Sequence, residues 1–95
     1  MSFTTTEAIE LITAEPKRAK AQHPLWPTDP IHAAAIVGEE SGELTQASLD
    51  YTYDPNRARS TMLEEAVQVG AMAIRFLENI GKYSADGSRV FRDDQ

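Results

Sequence analysis

Two stretches of the chain place their apolar residues at alternating intervals of three and four. In the first, Ala33, Ile36 and Ala47 lie on one helical stripe whose missing positions are filled by Glu40 and Glu43. In the second, Met62, Val69, Met72 and Phe76 form the stripe and Glu65 interrupts it. Each pattern predicts a long helix with a core-facing seam. Asp29-Pro30 is a strong start signal for the first, a capping side chain followed by proline at the first helical position. That helix is expected to run to about Tyr51, with a turn at Thr52 to Asp54. A second cap-and-proline pair, Asp54-Pro55, is expected to start the next helix, which continues to Asn79 with Gly81 as its stop. So short a connection makes the two helices an antiparallel hairpin.

The flanks carry less pattern. Thr4, Thr5 and Thr6 before Glu7 read as a hydroxyl cap and an acidic first turn, and Ala8, Ile9, Leu11 and Ile12 supply a short apolar stripe. Pro16 is expected to end that helix, with a second short helix over Arg18 to Gln22. The segment from His23 to Pro30 holds Pro24, Pro27 and Pro30 and reads as a stiff loop around Trp26, the only tryptophan. Trp26 either plugs one end of the helical bundle or presents its indole for stacking on a base. From Lys82 to Gln95 the chain is polar and is expected to be loosely held. The organisation expected is thus one domain: 1–28 as N-terminal helix and loop, 29–81 as hairpin, 82–95 as tail.

The carboxylates change this picture from a fold to a chemistry. On an antiparallel hairpin, Glu40 and Glu43 lie about ten residues before the turn, with Glu65 and Gln68 at a similar distance after it. Charges pointed into a seam are costly unless compensated, and a divalent cation compensates them most directly. A donor set made of oxygen alone suits Mg²⁺ or Mn²⁺ rather than zinc. Glu39 and Glu64 flank the seams, as solvated charges do. His23 and His32 read as packing or surface residues, and Ser41 has no partner base in the sequence pattern. No Gly-rich phosphate loop of the GxxxxGK type is present.

Composition bounds the rest. The chain has 95 residues, enough for one small domain, and its 41% hydrophobic content is thin for a lone core, so association with a second copy is expected. A net charge of −6 argues against unaided binding to nucleic acid but not against a nucleotide that arrives with Mg²⁺. The absence of cysteine rules out a disulfide framework and a thiolate metal site, and agrees with a cytoplasmic setting. No signal peptide is visible, and the longest apolar run, Ala33 to Val37, is far too short to span a membrane.

Glu39-Glu40-Ser41-Gly42-Glu43, followed after a turn by Glu64-Glu65, resembles the EExxE…ExxD signature of the MazG-like all-α nucleoside triphosphate pyrophosphohydrolases. The similarity spans roughly Leu25 to Ile80 and includes the Pro-Trp-Pro loop and the His-Ala-Ala-Ala-Ile-Val-Gly lead-in. It implies an all-α fold and a Mg²⁺-dependent enzyme that splits a (deoxy)nucleoside triphosphate into monophosphate and pyrophosphate. It implies hairpins pairing into a four-helix core, as a homodimer or homotetramer. By position, Glu40, Glu43 and Glu65 would be metal ligands, and Glu39 the auxiliary ligand or water-orienting base. Gln68 departs from the pattern, which has Asp there. It offers a carbonyl oxygen but no charge, so a cation would be held more weakly.

Substrate contacts are expected from Trp26, from Arg75 two turns beyond Gln68, and from Lys82. Arg75 has the alternative of pairing with Glu64 or Glu78, and Lys82, Tyr83 and Arg89 could close over the phosphates of a neighbouring subunit. Within the superfamily the competing activity is that of a phosphoribosyl-ATP pyrophosphohydrolase of histidine synthesis. From other classes, the competing readings are a non-catalytic helical interaction module and a nucleotide sensor.

Overall fold

The computed structural model describes residues 2–14, 25–54 and 56–85. They form three α-helices, α1 (Thr5–Ala14), α2 (Pro30–Tyr53) and α3 (Arg59–Glu78), and a short 3-10 turn at Ile80–Lys82. The described fold is all-α, as expected. The short helix expected over Arg18 to Gln22 and the stop at Pro16 fall outside the described residues, as does the chain beyond Ala85.

Helix α1 starts on a reciprocal cap. The Glu7 backbone N–H donates to Thr4 Oγ1 (3.2 Å), and the Thr4 N–H donates to Glu7 Oε1 (2.9 Å). The Thr4 backbone N–H first, and the Thr4 hydroxyl second, hold the exposed Glu7 carboxyl below its ordinary pKa by hydrogen-bonding to it. Helix α2 starts where Asp29-Pro30 predicts: Asp29 Oδ1 accepts from the Ile31 N–H at 3.0 Å.

The turn between the long helices departs from expectation. Asp54 does not start α3; its N–H makes the last bond of α2, to the Asp50 carbonyl at 2.8 Å. Its carboxylate instead accepts from the Asn56 N–H (3.2 Å), and its carbonyl accepts from the Arg57 N–H (2.9 Å). Helix α3 therefore begins four residues later than Pro55, at Arg59, behind an extended Ala58 with no side-chain cap. Arg57 lies 3.8 Å from Asp50 and 3.9 Å from Asp54, and Arg59 sits over the Tyr51 ring at 5.0 Å. The turn is tied by charge and ring contacts rather than by a helix cap.

The core between α2 and α3 is narrow. Among the described residues the buried apolar side chains are Ala33, Ala47, Ala71 and Met72, with Trp26, Ile36 and Val37 packed beside them. Alanines on both helices let the backbones approach closely. Helix α3 is turned relative to its expected seam. Its most buried positions are Gln68, Ala71, Met72 and Arg75, while Val69 and Phe76 are only half-buried. The cause is a second neighbour: α1 packs on the other flank, where Phe3, Ala8, Leu11 and Ile12 line a shallow cavity together with Leu63, Ala66 and Val67. One helix serving two partners has no single apolar stripe.

Gly70 makes that second contact possible, because a Cβ there would fall 2.9, 3.0 and 3.1 Å from three side-chain carbons of Ile12. Gly38 and Gly42, inside α2, have the opposite setting: a Cβ at either would meet nothing within 4 Å. Each nonetheless costs its helix about 1 kcal/mol relative to alanine.

The start of the tail is held, contrary to expectation. Asn79 ends α3, with its Nδ2 donating to the Arg75 carbonyl at 2.9 Å. Tyr83 then packs on Phe76 with ring centroids 4.8 Å apart. Its hydroxyl donates to the Phe76 carbonyl (3.0 Å) and accepts from Trp26 Nε1–H (2.9 Å). One residue on, the Ser84 N–H donates to the Thr28 carbonyl at 2.9 Å, and Ser84 is buried. The aromatic hydroxyl joins the loop before α2 to the segment after α3, which closes the open end of the hairpin.

The contact between Ile12 and Gly70 predicts a change of sign. Gly70→Ala should leave stability unchanged or lower it in the native background, because a displaced Ile12 offsets the gain in helix propensity. In an Ile12→Ala background the same substitution should stabilise by about 1 kcal/mol. Urea unfolding of the four proteins measures this, and an equal effect of Gly70→Ala in both backgrounds would contradict the contact.

Candidate metal centre

Helix α2 delivers Glu40 and Glu43, three residues apart on adjoining turns, and α3 delivers Glu65 from across the hairpin. One carboxylate oxygen from each lies within 4.8 Å of the others. The acidic residues that the seam pattern singled out are brought together. Glu40 and Glu65 are half-buried, and Glu43 is exposed. The open side of the cluster is therefore at Glu43, where an ion or anionic ligand has access from solvent.

The electrostatics of the cluster are unfavourable as it stands. The Glu40 carboxyl is pushed above the usual carboxylate range, first by burial. The negative charge of Glu43, a hydrogen bond to Glu43, and the charges of Glu65 and Glu39 act in the same direction. A carboxylate whose partners are other carboxylates is relieved by a proton or by a cation. The donors are all hard oxygens, which fits Mg²⁺ or Mn²⁺, and the residues present suit such an ion.

Gln68 follows Glu65 by one turn and is buried, with 8% of its surface exposed. Glu39 is exposed and lies outside the three-carboxylate group, though close enough for its charge to act on Glu40. Arg75 is buried on the same face as Gln68, two turns on, and its guanidinium lies 5.0 Å over the Trp26 ring. Burial lowers its pKa and the charge of Glu78 opposes this, so of the two expected carboxylate partners Glu78 is the one that acts on it.

Trp26 packs against Ala71 and Met72, beneath Arg75 and hydrogen-bonded to Tyr83, and so realises the bundle-plugging role. Lys82 is half-buried at the end of the 3-10 turn. Tyr83, assigned to the tail by sequence, is the anchor of this end. Its position seven residues beyond Phe76 was the available signal.

Fold and site together define an all-α domain that gathers carboxylates from two antiparallel helices into one cluster. No protein-family model, curated protein or solved structure matches the chain. Among the described residues no helix is long and apolar enough to cross a membrane.

The raised Glu40 pKa fixes the sign of a pH effect. A group that holds its proton more tightly in the folded state stabilises the fold below its unfolded pKa, and that stability is lost as pH rises through the folded value. The cation-free protein should therefore lose stability from the ordinary carboxylate range upward toward neutrality. Glu40→Gln should remove that slope and stabilise the cation-free protein at neutral pH. Solvent screening at a half-buried site limits the gain to about 0.5 kcal/mol, or ~2–4 °C in melting temperature. Thermal melts in chelator across pH test it; a melting temperature lowered by the substitution would contradict the repulsive cluster.

Proposed function

We propose that this chain is a Mg²⁺-dependent nucleoside triphosphate pyrophosphohydrolase that yields a nucleoside monophosphate and pyrophosphate. The observation that carries the reading is the convergence of Glu40, Glu43 and Glu65 from two helices to within 4.8 Å. The similarity of Glu39-Glu40-Ser41-Gly42-Glu43 and Glu64-Glu65 to the MazG-like signature supports it. In this reading Glu40, Glu43 and Glu65 hold the cation, with the Gln68 carbonyl as the weaker fourth donor. A divalent cation bound there supplies charge neutralisation for a polyphosphate.

The chain's own residues supply the rest. Glu39, exposed beside the cluster, orients a water molecule and accepts its proton. The water oxygen forms a bond to the α-phosphorus as the bond to the bridging oxygen breaks, and pyrophosphate leaves with that oxygen. Arg75, already charged and buried against Trp26, biases this end of the hairpin toward an anion, and Lys82 adds a second positive charge after α3. Trp26 acts on a nucleotide through Arg75 rather than as a free stacking platform. Assembly into a homodimer or homotetramer and a cytoplasmic setting belong to the same reading.

The test is pyrophosphate release from canonical and modified nucleoside triphosphates and from phosphoribosyl-ATP, with and without Mg²⁺. Release from triphosphates that needs Mg²⁺ and falls at least ~100-fold in Glu40→Gln and in Glu65→Gln is the expected result. Release from phosphoribosyl-ATP alone assigns the histidine-synthesis reaction instead. Saturable Mg²⁺-nucleotide binding without release from any substrate leaves a sensor, and neither binding nor release leaves an interaction module.

Gln68→Asp should tighten Mg²⁺ binding by about tenfold, since a charged ligand replaces a neutral one. The Mg²⁺ concentration dependence of the melting temperature reads this without reference to turnover. An unchanged midpoint would place Gln68 outside the ligand set.

A further inference from the structure

The indole of Trp26 is held from two directions. Arg75 lies on its face, with the guanidinium carbon 5.0 Å from the ring centroid. Tyr83 takes its edge, where Trp26 Nε1–H donates to the Tyr83 hydroxyl oxygen at 2.9 Å. That hydroxyl has one hydrogen of its own, and gives it to the Phe76 carbonyl at 3.0 Å. Toward Trp26 it therefore acts as acceptor. The Tyr83 ring is fixed in turn by its packing on Phe76, with centroids 4.8 Å apart, and by the next residue, Ser84, which is buried with its N–H on the Thr28 carbonyl. Burial holds the Tyr83 hydroxyl above its ordinary pKa, which the bond from Trp26 only partly opposes, so its hydrogen stays in place at neutral pH.

An indole has a single N–H, and a half-buried tryptophan turns its ring to satisfy it. The direction of the ring then decides where a cation on its face sits, because the attraction is lost once the cation leaves that face. Tyr83 thus sets Trp26, and Trp26 sets Arg75. Stacking uses the face of a guanidinium, and its N–H donors lie in the plane, aimed by the ring beneath. The Tyr83 hydroxyl is not needed to seat its own ring. A phenylalanine would keep the contact with Phe76, and the Phe76 carbonyl has a second donor in the Asn79 N–H at 3.3 Å. What the hydroxyl adds is the orientation of Trp26.

We propose that Tyr83 is a positioning residue, which sets the affinity of the site for its anionic substrate by orienting Trp26 and, through it, Arg75. The proposal rests on the reading of Arg75 as a contact to that substrate. It adds the segment after α3 to the residues that determine nucleotide affinity. Tyr83 stands at the closed end of the hairpin, away from the carboxylate cluster, so neither the chemical step nor the hold on Mg²⁺ should depend on it.

The test is a double-mutant cycle of Tyr83→Phe and Trp26→Phe. It is read by KM and kcat for pyrophosphate release, and by the Kd of inorganic pyrophosphate in Mg²⁺. Tyr83→Phe should raise KM and Kd about fivefold, with kcat and the Mg²⁺ midpoint unchanged. Trp26→Phe has no N–H to orient, so adding Tyr83→Phe to it should move neither constant further. Fluorescence of Trp26, the only tryptophan, should shift to longer wavelength in Tyr83→Phe as its N–H turns to water. Equal effects of Tyr83→Phe in both backgrounds would overturn the proposal, as would an unchanged KM and Kd. A parallel fall in kcat would mark a merely structural role, and a native protein that binds no pyrophosphate also counts against it. The two readings fail separately. Pyrophosphate binding weakened by Tyr83→Phe in a protein that cleaves no triphosphate removes the activity and keeps the positioning role. Mg²⁺-dependent cleavage with a KM indifferent to Tyr83→Phe does the reverse.

Discussion

Mutual repulsion among Glu40, Glu43 and Glu65 is the constraint around which this structure is arranged. Two alanine-lined helices in close contact would gain by filling the adjoining positions with leucine or valine. They instead place three carboxylates there, one raised in pKa by burial and by the others. Local consistency is broken at one level of the hairpin and kept elsewhere, and such a break is where function is to be sought. The helix start at Asp29, the packing of Met72 and the closing of the hairpin end by Tyr83 lie on the side of the cluster away from the turn and hold that end of the hairpin together.

The closed end is the counterweight. Trp26, Arg75, Phe76 and Tyr83 join three segments through one cation–ring contact, one ring–ring contact and two hydrogen bonds. Arg75 is the cation most deeply set in the described hairpin, on the same face as Gln68 and ~10 Å along the helix from it. The hairpin thus has an acidic level near its middle and a basic, aromatic level toward its end.

Much of this was legible in the residues. The caps at Thr4 and Asp29 behave as their side chains predict, because a cap is a local interaction whose partners lie within three residues. The convergence of Glu40 and Glu43 with Glu65 was legible because helix period and a short turn fix which positions face each other. Failures came where a contact is non-local or where two outcomes share one local signal. Asp54-Pro55 has the chemistry of a helix start, yet Asp54 spends its N–H on the end of α2, and both uses look alike in sequence. The turning of α3 toward α1 depends on Ile12 meeting Gly70, a contact across 58 positions. Tyr83 reaches Trp26 over a similar distance, 57 positions. Periodicity along one helix carries no information about a partner that distant.

Helix α2 shows how one short run can serve two faces. Within Gly38-Glu39-Glu40-Ser41-Gly42-Glu43 the carboxylates Glu40 and Glu43 turn toward α3, and the glycines turn the other way. Three- and four-residue steps on an α-helix return to nearly the same face, so two interleaved sets can be held at opposite sides of one cylinder.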